Sequence, residues 1–483
     1  MELFNPQLIV TAPWINGQPR PQTFSFKVLD PFSQKVLAEV DESDERLTNE
    51  AIVSAKCAFA EWRLKGPRAR HAALLNWAAH IEAAQQDLAR IICYESGKPL
   101  GQASSEINHC ITLLRWFAEE ARRVQGSTLP LHTRDKQQLT LKEPIGVVAC
   151  ITPWNFPAAS IIVKAGAAIA AGCSCIVKPS EETPLIALAL AKLASESGLA
   201  PGLLNVLPCS QPENIGKLIC KNADIRLLSF TGSYEAGKKL FRQCASSMKR
   251  MTFELGGNAP FIVFDDCDLD STVEALINAR FYNSGQICVG ANRIFIQQGI
   301  YDIFVQALAK RIAQLKVGNS FDSSTDIGPI INRSAIARLS HLIDDAKNHG
   351  ASVICGGSPL DQRSQVFLPT LLSNMTTEME AYSAEIFGPI ACLYPFHRED
   401  EVIALANNTH AGLASYVFTR DFNRTMRMMH SLEAGAIGLN TTGLFSEDAP
   451  FGGIKQSGFG KEQGIDCLEE FFYTKTVSLG WQS

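Results

Sequence analysis

From Val147 onward, short apolar runs alternate with helical stretches, and this alternation restricts the fold more than any other feature of the chain. The runs are Val147–Ile151, Cys175–Lys178, Leu203–Val206, Leu227–Thr231 and Met251–Leu255, and the stretches between them include Pro184–Ser197, with proline in its first turn. Strands separated by helices in this way need crossovers, which predicts a parallel, doubly wound sheet ending at Met251–Leu255. A second alternation runs from Phe261 to about Leu439. Its helices include Leu269–Phe281 and Tyr301–Leu315, and its strands Arg293–Gln297, Ile390–Pro395 and Ser415–Phe418. The first 120 residues are mostly helical in pattern, as over Asn49–Glu61 and Ala69–Ser96. Segment Gly126–Lys142, with a charged centre at Arg134, Asp135 and Lys136, predicts a protruding hairpin, and Phe471–Leu479 alternates like a strand. The expectation is an α/β protein of two doubly wound domains with a small β element.

A chain of 483 residues that is 46% hydrophobic and 19% charged has room for two to four domains and a large core, which excludes a disordered or fibrous protein. A net charge of -5 leaves no footprint for nucleic acid. The most apolar region, Val147–Val177, is broken by Pro153, Pro157 and Lys164, short of the roughly eighteen apolar residues of a membrane span. The start, MELFNPQLIV, lacks the basic and apolar regions of a secretory leader, so a soluble cytoplasmic protein is expected. The 14 cysteines are scattered, with Cys173 and Cys175 in an apolar run, and read as reduced core residues. No HExxH and no CxxC occurs, so no metal site is expected.

Four clusters carry chemistry. In Phe281-Tyr-Asn-Ser-Gly-Gln-Ile-Cys288 a cysteine follows a glycine-containing turn between helix and strand, which suits an exposed thiol but equally a core one. In Glu254-Leu-Gly-Gly-Asn258 a carboxylate at a strand end precedes glycines that admit close backbone approach; it fits a general base or a solvated turn. In Thr152-Pro-Trp-Asn-Phe-Pro157 two prolines fix a loop around Asn155, whose amide can donate to an oxyanion. Lys178-Pro-Ser-Glu181 and Phe230-Thr-Gly-Ser233 each follow a strand and precede a helix, where backbone N–H groups favour phosphate. A GxGxxG fingerprint in that context is absent, and Gly458-Phe-Gly460 reads as a turn.

Together these clusters resemble the aldehyde dehydrogenase superfamily over nearly the whole chain. The resemblance rests on PWNFP (Pro153–Pro157), KPSE (Lys178–Glu181), FTGS (Phe230–Ser233), ELGGNAP (Glu254–Pro260), NSGQIC (Asn283–Cys288), EIFGP (Glu385–Pro389) and PFGGIKQSGFG (Pro450–Gly460), in family order. It implies that Cys288 is the nucleophile, that Asn155 and the Cys288 N–H hold the oxyanion, and that Glu254 activates the hydrolytic water, with Glu462 as a proton relay. It implies NAD or NADP as cofactor. Lys178, Ser180 and Glu181 would sit at the adenine ribose, where Glu181 favours NAD; Gly232 and Ser233 at the pyrophosphate; Glu385 at the nicotinamide ribose; and Phe387 and Trp154 beside the nicotinamide. It further implies a cofactor domain over 1–121 and 145–256 and a catalytic domain over 257–456. The remaining parts, 126–144 and 470–483, match an element that joins subunits into a dimer or tetramer.

Within the superfamily the wording is most similar to the succinate-semialdehyde dehydrogenase branch, which grips its substrate's far carboxylate with two arginines and a serine. The matching positions here are Val163, Tyr282 and Phe445, and with Phe451 they describe an apolar pocket. A neutral aliphatic or aromatic aldehyde is therefore expected, ahead of succinate semialdehyde and of an amino-aldehyde whose ammonium could meet Glu447 or Asp448. Arg280 and Arg293 have no matching role, and Gly290 excludes the branch's regulatory Cys-x-Cys pair.

Overall fold

A computed structural model of the protein describes residues 1–132, 135–361 and 365–481. Among the described residues two sheets dominate, one of eight strands and one of seven. The first runs, edge to edge, Gln18–Pro19, Trp14–Ile15, Leu204–Val206, Ser174–Lys178, Val147–Ile151, Ile225–Thr231, Arg250–Glu254 and Gly458–Phe459. The five strands from Leu204–Val206 to Arg250–Glu254 are parallel. The chain starts this parallel set at Val147–Ile151, winds outward on one side through Ser174–Lys178, then returns past the start to Ile225–Thr231. That reversal opens a crevice at the carboxyl ends of Val147–Ile151 and Ile225–Thr231, the place where open α/β sheets bind ligands.

The second sheet runs Ser352–Cys355, Thr370–Ser373, Ile390–Phe396, Ala291–Gln297, Ala259–Val263, Ala414–Phe418 and Ala436–Leu439, parallel except at the Ser352–Cys355 edge. Its central strands are buried along their length because helices cover both faces, which is why they read as unbroken apolar runs. Helix Pro184–Glu196 is likewise apolar nearly all round, being enclosed between the first sheet and the helices of the first 121 residues. Its amino end is capped from a neighbour: Leu185 N–H and Ile186 N–H donate to the Glu95 carboxylate at 2.6 and 2.9 Å.

Four expectations need correction. Helices fill most of Glu45–Ala121 as expected, but the stretch before them holds short strands, including the antiparallel pair Ser25–Leu29 and Val36–Asp41. The helical run Ala69–Ser96 is two helices, Pro67–Ala83 and Gln85–Ser96, that part at Ala84. Gly458–Phe459 is not a turn. It pairs antiparallel with Phe253 and Glu254, so Met251–Leu255 is not the last strand of its sheet. Two-residue strands made by a distant segment carry no periodicity of their own, which hides them from pattern reading.

The segment around 126–144 does fold back on itself, through Thr128↔Leu139 and the bond from Leu129 N–H to Gln138 O at 2.9 Å. Lys136 lies in strand Lys136–Pro144 rather than in the turn; Arg134 falls outside the described residues, as does Ser483. Strand Lys136–Pro144 pairs antiparallel with Phe472–Gly480 in a separate two-stranded ribbon. Ten of the fourteen cysteines are buried, and no helix among the described residues is long and apolar enough to cross a membrane.

Candidate active site

Three segments meet between the two sheets. The turn after Arg250–Glu254 carries Gly256 and Gly257. A Cβ on Gly257 would overlap the Cys288 carbonyl oxygen, and one on Gly256 would fall 2.5 Å from a Glu385 carboxylate oxygen. Only glycines let this turn lie against both the Cys288 segment and the Glu385–Pro389 loop. Gly257 N–H donates to Glu385 Oε1 at 3.1 Å and closes the junction. Phe387, in the left-handed region at φ 48°, turns its ring edge-on to Trp154 at 5.5 Å.

The approach to Cys288 is strained. Asn283, Ser284 and Gly285 all have positive φ, at 50°, 56° and 75°. Each non-glycine residue there costs on the order of 1–3 kcal/mol and persists only when its surroundings hold it. They do so thoroughly. Asn283 N–H donates to Gln102 Oε1 at 2.8 Å, Asn283 Nδ2 to Asn155 O at 3.2 Å, and Ser284 Oγ to Gly328 O at 3.0 Å. Gln286 is clamped by Ile331 N–H, which donates to its Oε1 at 3.0 Å. Asn155 Nδ2 donates to Gln286 O at 3.0 Å, so the amide of the PWNFP loop lies against the turn that carries Cys288.

Burial first, and then the negative charges of Glu385 and Glu254, push the Cys288 thiol up to about 12, although its own N–H and that of Val289 favour the thiolate. The thiol is therefore protonated at neutral pH when the cofactor is absent. Below such a value the thiolate fraction grows about tenfold per pH unit. Inactivation by iodoacetamide without cofactor is expected to accelerate about a hundredfold from pH 7 to pH 9, tenfold for each pH unit. A rate that levels off below pH 8 contradicts this.

Glu254 is buried and raised well above the usual carboxyl range, by burial and then by the charge of Glu462, with Lys164 acting in the opposite sense. It accepts from Gly453 N–H, and an added Cβ on Gly452 would fall 2.7 Å from its Oε1. Its Oε2 has no partner among the described residues. Lys164 Nζ bonds Glu462 Oε1 and, at 3.1 Å, Ser229 Oγ. Lys164 belongs to a π-turn, Ile162–Gly166, whose extra residue alters the phase of an otherwise apolar helix.

Tyr282, Cys288 and Phe451 share one apolar cluster, where Phe156 and Tyr282 are parallel with centroids 6.5 Å apart and Phe445 meets Phe451 at 4.9 Å. Val163 is not brought into it. It packs in the other domain's core and borders a small cavity with Lys164, Ser229, Thr252 and Glu462. Asp448 is turned toward Ser446 Oγ at 2.5 Å. Sequence reading missed the pair behind Phe156. Lys98 Nζ lies 3.8 Å from the Phe156 ring centroid and bonds Glu106, whose other oxygen accepts from Ala158 N–H and Ala159 N–H at 3.0 and 3.1 Å. Glu106 thereby anchors the backbone just past Asn155.

At the crevice of the first sheet, Ser233 caps helix Tyr234–Cys244 by accepting from Ala236 N–H at 3.3 Å, directly after Gly232. Lys178 Nζ is buried, donates to Pro179 O at 2.7 Å and stands 3.7 Å from Glu181 Oε2, while Ser180 Oγ accepts from Glu182 N–H at 3.3 Å. Glu181 is 42% exposed. An exposed carboxylate at one strand end and a helix start with free N–H groups two strands away suit the ribose and diphosphate of a dinucleotide.

The aldehyde dehydrogenase family model matches residues 14–477. Glutarate-semialdehyde dehydrogenase of Pseudomonas putida is 43% identical over 99% of this chain and 98% of its own length. The NADP-linked succinate-semialdehyde dehydrogenase GabD of Escherichia coli is 42% identical over the same shares. Among solved structures, an Escherichia coli NADP-dependent enzyme superposes with a TM-score of 0.98 at 41% identity, covering 99% of this chain and 100% of that one. A betaine aldehyde dehydrogenase of Staphylococcus aureus in complex with NAD+ gives 0.95 at 31% identity, over 98% and 95%. With a cysteine on a braced turn, a buried carboxylate whose charge acts on it and the open crevice of a parallel sheet, the chain belongs to the aldehyde dehydrogenase family and is an NAD(P)-dependent aldehyde dehydrogenase.

Proposed function

We propose that the enzyme oxidises a neutral aliphatic or aromatic aldehyde to the carboxylic acid through Cys288, with NAD preferred. One observation carries the substrate class: among the described residues, the cations flanking the site are already engaged. Lys98 is paired with Glu106 and Lys164 with Glu462, while Arg280, Arg293 and Lys461 donate to backbone carbonyls. Burial lowers His109 and favours its neutral form. A substrate carboxylate would be desolvated beside Tyr282 and Phe451 without a counter-charge. The semialdehyde dehydrogenases among the relatives favour a second reading, oxidation of a short anionic semialdehyde, which needs a cation that rearranges on binding.

In this mechanism the thiol loses its proton to water, a step Glu254 assists without limiting, and sulfur attacks the carbonyl carbon. The electron pair moves to oxygen, where Asn155 Nδ2 and the Cys288 N–H hold it. NAD(P)+, when bound, would accept the hydride that leaves this carbon as the electron pair on oxygen returns to re-form the carbonyl. The resulting thioester on Cys288 is hydrolysed by water whose proton goes to Glu254; the C–O bond forms, the C–S bond breaks and the thiolate is restored. Glu462, joined to Lys164, takes the proton onward from Glu254. The unpartnered Glu254 Oε2 supports this role.

For the cofactor, Lys178, Ser180 and Glu181 hold the adenine ribose, Gly232 and Ser233 the diphosphate, and Glu385 the nicotinamide ribose, with Trp154 and Phe387 as walls. Glu181 accepts from a free 2′-hydroxyl and repels a 2′-phosphate. Lys178 nearby offsets part of that repulsion, so NAD is preferred rather than required. The cofactor unit spans 1–121 and 145–256, and the catalytic unit 257–456. The ribbon of Lys136–Pro144 and Phe472–Gly480 exposes Leu141, Tyr473 and Leu479, which supports burial against another copy in a cytoplasmic homodimer or homotetramer.

Initial NADH and NADPH formation with hexanal, benzaldehyde, succinate semialdehyde and an aminoaldehyde tests the reading. Hexanal or benzaldehyde is expected to lead in kcat/KM by about tenfold or more, the scale of one unpaired charge in an apolar pocket. A lead for succinate semialdehyde overturns the substrate class and leaves the chemistry standing.

A further inference from the structure

Arg280 is fully buried at the end of helix Leu269–Phe281, and no carboxylate among the described residues bonds it. Burial lowers its pKa to about 10, which leaves the guanidinium charged at neutral pH. A buried cation without an ion-pair partner is costly, so its hydrogen bonds need explaining. They go to three carbonyls. Nη1 donates to Ala291 O at 3.1 Å, and Nη2 donates to Gly285 O at 2.9 Å and to Gly388 O.

These carbonyls are not a random set. Gly285 and Ala291 stand three residues to either side of Cys288, so one planar fork spans the base of the nucleophile turn. Gly388 follows Phe387 in the loop that also carries Glu385, proposed above to face the nicotinamide end of the cofactor. At this junction a Cβ on Gly285 would overlap Gly388 O and fall 2.8 Å from Arg280 Nη2. Two backbones and a guanidinium are thus in contact with no side chain between them. Glu385 and Arg338 are the other charged groups that act on Arg280, the first holding its charge and the second opposing it. Arg338 itself donates to Glu385 O at 2.8 Å and Ile386 O at 2.7 Å, so both ends of the loop are held by arginines.

We infer that Arg280 is a positioning residue that fixes the Cys288 turn against the Glu385–Gly388 loop and thereby sets the sulfur's placement relative to the hydride acceptor. The inference rests on the proposed roles of Cys288 and Glu385. The planar fork matters because one guanidinium reaches three carbonyls in fixed directions, whereas an ammonium is a point donor on a flexible stem. A displacement of about 1 Å in such a site costs on the order of 10²-fold in rate.

The test compares Arg280→Met, Arg280→Gln and Arg280→Lys with the wild type in the full-length enzyme. Three quantities are read: thermal melting, inactivation by iodoacetamide without cofactor, and steady-state kcat with KM for NAD+. In the Met and Gln variants kcat is expected to fall by about 30-fold or more and KM for NAD+ to rise, while alkylation of the folded protein stays within about threefold. Arg280→Lys is expected to recover part of the loss. If Arg280→Met does not fold, the Gln and Lys variants carry the same comparison. A folded Met or Gln variant with kcat within about threefold of wild type overturns the inference, as does an Arg280→Lys variant no better than these two. Alkylation and turnover falling in equal proportion also overturns it, since the arginine then serves the thiol alone. Failure of the wild type to oxidise any aldehyde is distinct and overturns the proposed function itself.

Discussion

Cys288→Ala is expected to abolish NADH formation, lowering kcat by about 10⁴-fold or more, with NAD+ binding by fluorescence titration and thermal melting unchanged. The size follows from covalent catalysis, because without sulfur neither the thiohemiacetal nor the thioester can form. No neighbour can substitute. Ser284 Oγ is bonded to Gly328 O, and Cys392 is buried in the second sheet with its thiol pushed up to about 12. Removing one partly buried thiol from the Cys288 site leaves the bonds of Asn283, Ser284 and Gln286 intact, which is why folding should be spared. Residual turnover above about one part in 10³ would mean that another group attacks the aldehyde.

Glu254→Gln is expected to convert steady turnover into a single burst. Acylation releases about one NADH per active site, after which the thioester persists and the steady rate is down by about 10²–10⁴-fold, the range of a lost general base. The substitution is nearly isosteric. It removes a carboxylate from a buried position where Glu462 already disfavours its charge, so stability is expected to hold or rise slightly. Glutamine keeps an acceptor for Gly453 N–H but cannot take a proton from water. A stopped-flow trace with no burst, both phases slowed alike, would make Glu254 as necessary before hydride transfer as after it and contradict a role chiefly in hydrolysis.

Much of this site is legible in the sequence because its chemistry is local. The cysteine, the glycine pair beside Glu254 and the proline-fixed Asn155 sit in short motifs whose backbone demands are written in consecutive residues. The parallel strands were legible for a similar reason: five-residue apolar runs such as Val147–Ile151 have no reading but a buried strand once helices flank them. What supports the motifs was not legible. Arg280 reads as an ordinary basic residue at a helix end, and its third partner is Gly388, 108 positions away. Lys98 and Glu106 belong to none of the motifs, yet both are buried behind Phe156. Strand Gly458–Phe459 is two residues long and exists only because Phe253 and Glu254 offer it an edge. The resemblance assigns Val163 to substrate binding, but the π-turn at Ile162–Gly166 and the Lys164–Glu462 pair put it beside a small cavity lined by Ser229 and Thr252.

The most direct test of oxidation of a neutral aldehyde through Cys288 is a trapping competition. Glu254→Gln enzyme is mixed with NAD+ and equal concentrations of hexanal and succinate semialdehyde, quenched after the burst, digested and read by peptide mass spectrometry. The expected result is a hexanoyl group on the peptide bearing Cys288, in about tenfold excess over succinyl. A succinyl group in excess would contradict the neutral pocket, and acylation of any residue other than Cys288 would contradict the mechanism.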